Sequence, residues 1–246
     1  MFKNLAWCIT GGGTHLKDTV DVMHNIKYEF NVKLTIFLTK WGLEVARIFG
    51  VLPKIKDLAL GGYYEEFLVE DEGMYYIGRM NMRRYKALII APATTNTIAK
   101  MVYGIADNIA SALYAQASKS CVSTIILPTD TPSIDGYIEV ETPCYIDRSI
   151  CIKNGCISCK LVEMCPVKAI TIVDDYPRID LSKCTGCEKC VRTCPNNAIK
   201  CWGKVKIKPR TIDLENIEKL KVRDYTYVIS NTEELIEKIK YLLQKA

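Results

Sequence analysis

Apolar residues in the first half of the chain fall into short unbroken runs separated by stretches with helical spacing. Asn4 to Ile9, Val32 to Leu38, Ala87-Leu88-Ile89-Ile90-Ala91 and Val122 to Leu127 are such runs. They do not alternate apolar with polar residues, and unbroken runs are what strands show when helices cover both faces of a parallel sheet. A further strand is expected within Tyr63 to Ile77, and helices from Thr14 and from Trp41. The order of strands and helices predicts a doubly wound α/β domain over residues 1–143. Pro128 to Pro143, rich in Thr, Asp, Pro and Gly, reads as a linker or an ordered surface loop. After Cys201 the α/β pattern returns. Tyr227-Val228-Ile229 reads as a strand, Thr232 as a helix N-cap, and Leu235, Ile236, Ile239, Leu242 and Leu243 as one apolar helix face. This last pair is expected to dock back on the first domain. Residues 204–246 would then complete it, and 144–203 would form a second, smaller α+β unit.

Cysteine dominates that second unit. Cys184-Thr-Gly-Cys187-Glu-Lys-Cys190-Val-Arg-Thr-Cys194-Pro195 is C-x2-C-x2-C-x3-C-P, the bacterial ferredoxin spacing for a [4Fe–4S] cluster. Cys151, Cys156, Cys159 and Cys165-Pro166 repeat the order with wider outer gaps. Both runs end alike, in Cys-Pro-Val-Lys-Ala-Ile at 165–170 and Cys-Pro-Asn-Asn-Ala-Ile at 194–199, which marks a duplication. In two-cluster ferredoxins the fourth cysteine of each run serves the other cluster. Cys151, Cys156, Cys159 and Cys194 are therefore assigned to one cluster, and Cys184, Cys187, Cys190 and Cys165 to the other. Structural zinc uses pairs of cysteines rather than a triple closed by Cys-Pro, and a disulfide framework suits short exported chains. Cys8, Cys121, Cys144 and Cys201 lie outside the runs and are assigned no chemistry; Cys8 and Cys121 read as small buried hydrophobes.

Charge changes the picture little. The formal balance of +5, from 33 basic and 28 acidic residues, is spread without long blocks and argues against a nucleic-acid surface. Two oxidised clusters at about −2 each would bring it to about +1. No apolar run approaches the roughly 18 residues that span a bilayer, so no membrane partner is expected. Met1-Phe2-Lys3-Asn4 leads straight into a strand without the features of a secretory leader, and a reducing cytoplasm is the expected location.

The first strand ends in Thr10-Gly11-Gly12-Gly13-Thr14-His15, a glycine-rich turn that opens a helix and suits a phosphate. A tight turn without any ligand would use the same residues. The third glycine of G-x-G-x-x-G is replaced by Leu16, and the second strand ends in Thr39-Lys40 rather than an acid that would hold an NAD ribose, which points to a mononucleotide such as FMN. Further on come Ala91-Pro92-Ala93-Thr94-Thr95-Asn96-Thr97 and Gly104-Ile105-Ala106-Asp107-Asn108. Here the chain resembles the homo-oligomeric flavin-containing cysteine decarboxylases, with their Pro-Ala-Ser-Ala-Asn-Thr and Gly-Ile-Ala-Asp-Asn stretches. The resemblance covers residues 1–130 and implies a flavodoxin-like or Rossmann-like flavoprotein domain with FMN at a subunit interface. It places Gly11, Gly12, Gly13, Thr14 and Thr39 on the phosphate side. Ala91 to Ala93, Thr94, Asn96 and Thr97 would approach the ring and ribityl chain, with Asp107 and Asn108 bracing the site. The decarboxylases carry a His-Ile pair ahead of this loop, where this chain has Gly78-Arg79-Met80-Asn81, so the decarboxylation base is missing. His15, at the mouth of the turn, is the histidine that a flavin could use.

A flavin accepts electrons singly or in pairs while each cluster passes one, so the combination converts one-electron input into a two-electron reduction. The combination resembles the archaeal dihydromethanopterin reductase (acceptor) family. That resemblance implies a ferredoxin-like donor protein, two clusters that feed FMN, and a dihydropterin substrate. It also implies a homotrimer or a larger assembly of trimers, since rotational closure avoids open filaments. An electron relay serving a partner protein, with no small substrate, remains an alternative; flavin prenyl transfer would leave the clusters without a role.

Overall fold

The computed structural model describes residues 3–59, 61–156 and 159–244. Its centre is a six-stranded parallel sheet in the order β12-β5-β4-β1-β2-β3. The first half supplies β1 (Asn4–Ile9), α1 (Leu16–Phe30), β2 (Lys33–Leu38), α2 (Lys40–Ile48), α3 (Leu52–Asp57), β3 (Phe67–Val69) and α4 (Glu70–Gly73). A 3-10 turn at Met74–Arg79 leads to β4 (Ala87–Ala93), α5 (Thr95–Tyr103), α6 (Ile109–Lys119) and β5 (Thr124–Pro128). Every residue of β1, β4 and β5 is buried, which accounts for the unbroken apolar runs. Successive side chains enter opposite layers: Leu5, Trp7 and Ile9 join the core beneath α1 and α11, while Ala6 and Cys8 join the one beneath α5 and α6. The Trp7 indole, fully buried, donates to Ala91 O at 2.9 Å, so its polar edge is satisfied.

The chain then leaves the sheet. β6 (Ile138–Glu141) and β11 (Lys204–Ile207) form an antiparallel ladder at the two borders of the cysteine-rich segment. The expected loop over 128–143 thus contains a strand, whose partner lies more than sixty residues away. Between the ladder strands run β7 (Tyr145–Ile146), α7 (Arg148–Lys153), α8 (Leu161–Met164), β8 (Ile170–Val173), β9 (Tyr176–Ile179), α9 (Lys189–Thr193) and β10 (Ile199–Lys200). β7 pairs with β10 and β8 with β9. The buried hydrophobic core here is Leu161, Ile170 and Ile199, with four of the cysteines packed against it. Cys144 and Cys201, given no role above, form a disulfide next to the β7–β10 pair.

After β11 the chain returns through α10 (Thr211–Lys221) to β12 (Thr226–Val228), which pairs in parallel with β5, and ends in α11 (Thr232–Gln244). α11 packs on α1 and β5, with Leu235, Ile239 and Leu242 buried. Its N-cap is Asn231 rather than Thr232: the Asn231 carboxamide oxygen accepts from Glu234 N at 2.9 Å, and the Glu234 carboxylate accepts in return from Ser230 N at 2.9 Å. Cys8 is buried, but Cys121 is exposed, in a left-handed turn after α6 that takes it off the strand. Among the described residues, no helix is long and apolar enough to cross a membrane.

Two measurements check this packing. Leu235→Ala removes a fully buried side chain between α11 and the sheet, and should lower stability in urea unfolding by about 2–5 kcal/mol. The second concerns His15, which precedes α1 with left-handed backbone, φ 62°. Burial lowers its proton affinity below the ordinary 6.5, with the charges of Asp18 and Glu233 opposing. The folded chain therefore binds fewer protons here than the unfolded one, and this contribution to stability is present above the ordinary value and lost as pH falls toward the folded one. His15→Asn suits a left-handed position and does not titrate. The stability difference between wild type and variant should shrink from about pH 7 to about pH 5; a constant difference would show that His15 is not desolvated.

Candidate functional site

The order of strands reverses between β1 and β4, because β2 lies on one side of β1 and β4 on the other. Loops leaving the carboxyl ends of these neighbours diverge and open a crevice, the place where open α/β sheets bind ligands. Here the two loops are tied at their base. Thr10 donates to Pro92 O through its backbone N–H at 3.2 Å and its hydroxyl at 2.8 Å, and the same hydroxyl accepts from Thr94 N at 2.9 Å. The Ala91–Pro92 peptide is cis.

Above this knot lies a cavity of about 490 Å³, within the roughly 300–1,000 Å³ usual for small-molecule sites. Gly11, Thr39, Thr94, Asn96, Thr97, Asp107 and Asn108 line it, so seven residues singled out from four separate stretches of sequence come together. Three helices start at its rim, each capped by one of these residues. The Thr39 hydroxyl accepts from Gly42 N at 2.9 Å, Thr94 from Thr97 N at 3.4 Å, and the Asn108 carboxamide from Ser111 N at 2.9 Å. A threonine hydroxyl that accepts keeps its own proton for donation. Lys100 pairs with Asp107 at 2.7 Å and joins the wall.

Four lining residues escaped the sequence reading: Lys40, Trp41, Glu70 and Lys100. Glu70, from α4, spans two helix starts, accepting from Lys40 N at 2.7 Å and Ile109 N at 3.3 Å. It therefore occupies the positive ends of α2 and α6, and an anion in the cavity meets the start of α5 and the glycine turn instead. No local pattern marks Glu70. Trp41 is 68% exposed two residues after Thr39, and a tryptophan so close to a candidate phosphate threonine was the one legible signal, since its amphipathic ring suits a ligand or partner surface.

The glycine turn is shaped by packing. A side-chain carbon on Gly11 would lie 2.7 Å from Trp41 Cβ, one on Gly12 2.3 Å from Thr129 Cγ2, and one on Gly13 2.4 Å from Phe49 Cζ. Only Gly11 of the three reaches the cavity wall; Gly12 is buried beneath Thr129, and Gly13 rests on the Phe49 ring. Thr14 and His15 also lie off the wall. Ala91, Pro92 and Ala93 are buried within β4, forming the floor rather than the lining.

The cysteines surround two further cavities. One, of about 330 Å³, is bordered by Cys151, Cys156, Cys159 and Cys194. The other, tighter, is bordered by Cys165, Cys184, Cys187 and Cys190, with Cys144 of the disulfide in its wall. Each draws three cysteines from one run and the fourth from the other. Among the described residues, no three His, Cys, Asp or Glu side chains converge on a single-ion site; sulfurs set around a space suit a four-iron cube. Asn196 Nδ2 donates to Cys156 Sγ at 2.9 Å and Ala169 N to Cys165 Sγ at 3.2 Å, the kind of bond that tunes cluster sulfur. Burial, then the neighbouring Cys156, Cys194 and Cys159, push the Cys151 thiol up, as expected of sulfurs that face one another.

Comparison with known proteins agrees with this division. The Flavoprotein family model matches residues 2–134, and the 4Fe-4S binding domain model matches residues 177–200, which hold the second cysteine run. The dihydromethanopterin reductase (acceptor) of Methanosarcina mazei is 36% identical over 242 residues, covering 96% of this chain and 98% of the relative. The protein of the same name from Methanocaldococcus jannaschii is 36% identical over 237 residues, covering 95% and 94%. Among solved structures, apo DmrB of Burkholderia xenovorans, described as a cubic protein cage for redox transfer, superposes with TM-score 0.60 at 22% identity, covering 98% of this chain and 95% of that one. Its FMN complex gives 0.59 at 21% identity, and both show the shared fold. Near full-length identity to two such reductases, with both component units matched, makes the chain a member of the dihydromethanopterin reductase (acceptor) family of oxidoreductases.

Proposed function

We propose that this protein reduces dihydromethanopterin to tetrahydromethanopterin, drawing electrons through two [4Fe–4S] clusters to FMN. The observation that carries the reading is the pairing, within one chain, of a switch-point crevice with two cavities that share their cysteines crosswise. Bound FMN would supply the conversion of single electrons into a hydride for the C=N bond of the pterin. Gly11 and Thr39 hold the phosphate side, through the Gly11 backbone N–H and the Thr39 hydroxyl, while Gly12, Gly13 and Thr14 shape the turn behind them. Thr94, Asn96 and Thr97 face the ring and ribityl chain, over a floor that includes Ala93. Asp107 and Asn108 brace the rim, one through Lys100 and the other through the cap of α6. Cys151, Cys156, Cys159 and Cys194 hold one cluster; Cys165, Cys184, Cys187 and Cys190 hold the other.

The domains follow the ladder: residues 1–143 with 204–246 form the flavin unit, and 144–203 the cluster unit. A ferredoxin-like protein in the cytoplasm is the donor. The assembly is a homotrimer or a larger closed shell of trimers, in keeping with the cage described for the Burkholderia protein.

The reading is tested by an anaerobic titration. The protein is reduced, dihydromethanopterin is added, and the flavin and cluster bands should return to the oxidised spectrum in stoichiometric proportion. Bands that stay reduced in the presence of the pterin would point to a relay with a protein acceptor. Separately, Cys156→Ser and Cys187→Ser should each abolish donor-driven flavin reduction while leaving FMN affinity, measured by fluorescence quenching, within about twofold of wild type. Loss of both properties would indicate misfolding of the flavin unit.

A further inference from the structure

The two cysteine runs are near copies, yet one matched position sits in different surroundings. Gly155 precedes Cys156 and Gly186 precedes Cys187, and both glycines hold left-handed backbone, φ 61° and 60°. Among the described residues, a side-chain carbon on Gly155 would meet nothing within 4 Å, whereas one on Gly186 would lie 2.3 Å from Ile48 O and 2.8 Å from Gly50 N. In the other direction, a carbon on Gly50 would lie 3.1 Å from Gly186 O. The second run therefore meets the end of α2 backbone to backbone, at a distance only two glycines allow.

Arg47, in the last turn of α2, holds the same loop. Its guanidinium donates to Cys184 O and, at 3.1 Å, to Leu181 O, while its Nε donates to Glu44 at 3.2 Å. Packing continues from there toward the crevice. The Phe49 ring lies against Gly13, two residues from Gly11 in the crevice wall, and packs at a tilt of 37° on Trp202 with ring centres 4.9 Å apart. Trp202 Nε1 donates to the Glu188 carboxylate at 2.6 Å, and Glu188 lines the cavity of Cys165, Cys184, Cys187 and Cys190.

We propose that the cluster held by Cys165, Cys184, Cys187 and Cys190 is the one that passes electrons to the flavin, and that Arg47 is the positioning residue that clamps it against the flavin unit. This rests on the flavin and cluster reading above. Electron tunnelling weakens steeply with the thickness of protein crossed, so the docked loop sets which cluster is nearer in effect. The cluster of Cys151, Cys156, Cys159 and Cys194 takes electrons from the donor and hands them on singly. Each passage returns the inner cluster from reduced to oxidised, and two passages with two protons from solvent complete one flavin reduction.

The holoprotein is compared with Arg47→Ala, Gly186→Ala and Gly155→Ala under anaerobic conditions. Iron and acid-labile sulfide are measured first; a wild type without them refutes the underlying reading rather than the order of the clusters. Flavin bleaching after mixing with reduced methyl viologen is then followed, with the rate in Cys187→Ser subtracted as direct reduction, and amide hydrogen exchange is measured over residues 181–187. Arg47→Ala and Gly186→Ala should exchange faster over that loop and reduce flavin about 10- to 100-fold more slowly. Gly155→Ala carries the same backbone strain without the contact and should match wild type. A wild-type rate in Arg47→Ala, or slow reduction confined to Gly155→Ala, overturns the proposal. If Gly186→Ala fails to retain its iron, Arg47→Ala decides.

Discussion

The reversal of strand order between β1 and β4 is the constraint on which the rest of this molecule depends. Parallel strands send all their following loops to one end of the sheet, and right-handed crossovers place helices on alternate faces. Where the winding direction changes, two adjacent loops must part, and the gap cannot be closed by either helix. Thr10, bonded to Pro92 and Thr94, seals the bottom of that gap, so the crevice has a floor of fixed depth. The capping threonines and asparagine then serve two ends at once. They satisfy helix starts that burial would otherwise leave unpaired, and they present hydroxyl and amide groups to whatever lies in the crevice.

Placing the cluster unit between β5 and β12 has a mechanical consequence. A segment held at a single border would swing, whereas β6 and β11 hold both of its ends in one short ladder, with Lys204 and Glu139 paired across it. The unit's own core of Leu161, Ile170 and Ile199 is too small to hold about sixty residues by burial alone. Its order depends on the cysteine sites, on the Cys144–Cys201 bridge and on the contact with α2. Electron transfer asks for a constant separation rather than a flexible tether, and the ladder, the bridge and the arginine clamp all act in that direction.

Neither His15 nor Arg79 lines the crevice. Arg79 is engaged with Glu66 at 2.9 Å and with the rings of Tyr63, Tyr64 and Tyr76. His15 precedes α1, where burial lowers its proton affinity. Lys40, Glu70, Lys100 and Asp107 are the titratable groups in the wall, Lys100 paired with Asp107 and Glu70 holding two helix starts.

Much of this was legible in the chain itself. Unbroken runs such as Ala87 to Ala91 specify buried parallel strands because both of their faces must avoid water, and C-x2-C-x2-C-x3-C-P specifies iron and sulfide because few other centres need that spacing. Local chemistry of this kind is written in adjacent residues. Glu70 at two helix starts, the β6–β11 ladder, and Gly186 against Gly50 were not legible, since each joins backbone that only a finished fold brings together. The three glycines at 11–13 show the division most clearly. Sequence alone announces a turn able to approach a phosphate, yet tertiary packing decides that Trp41, Thr129 and Phe49 press on it from behind and that Gly11 alone reaches the crevice, because the space around a glycine belongs to its distant neighbours.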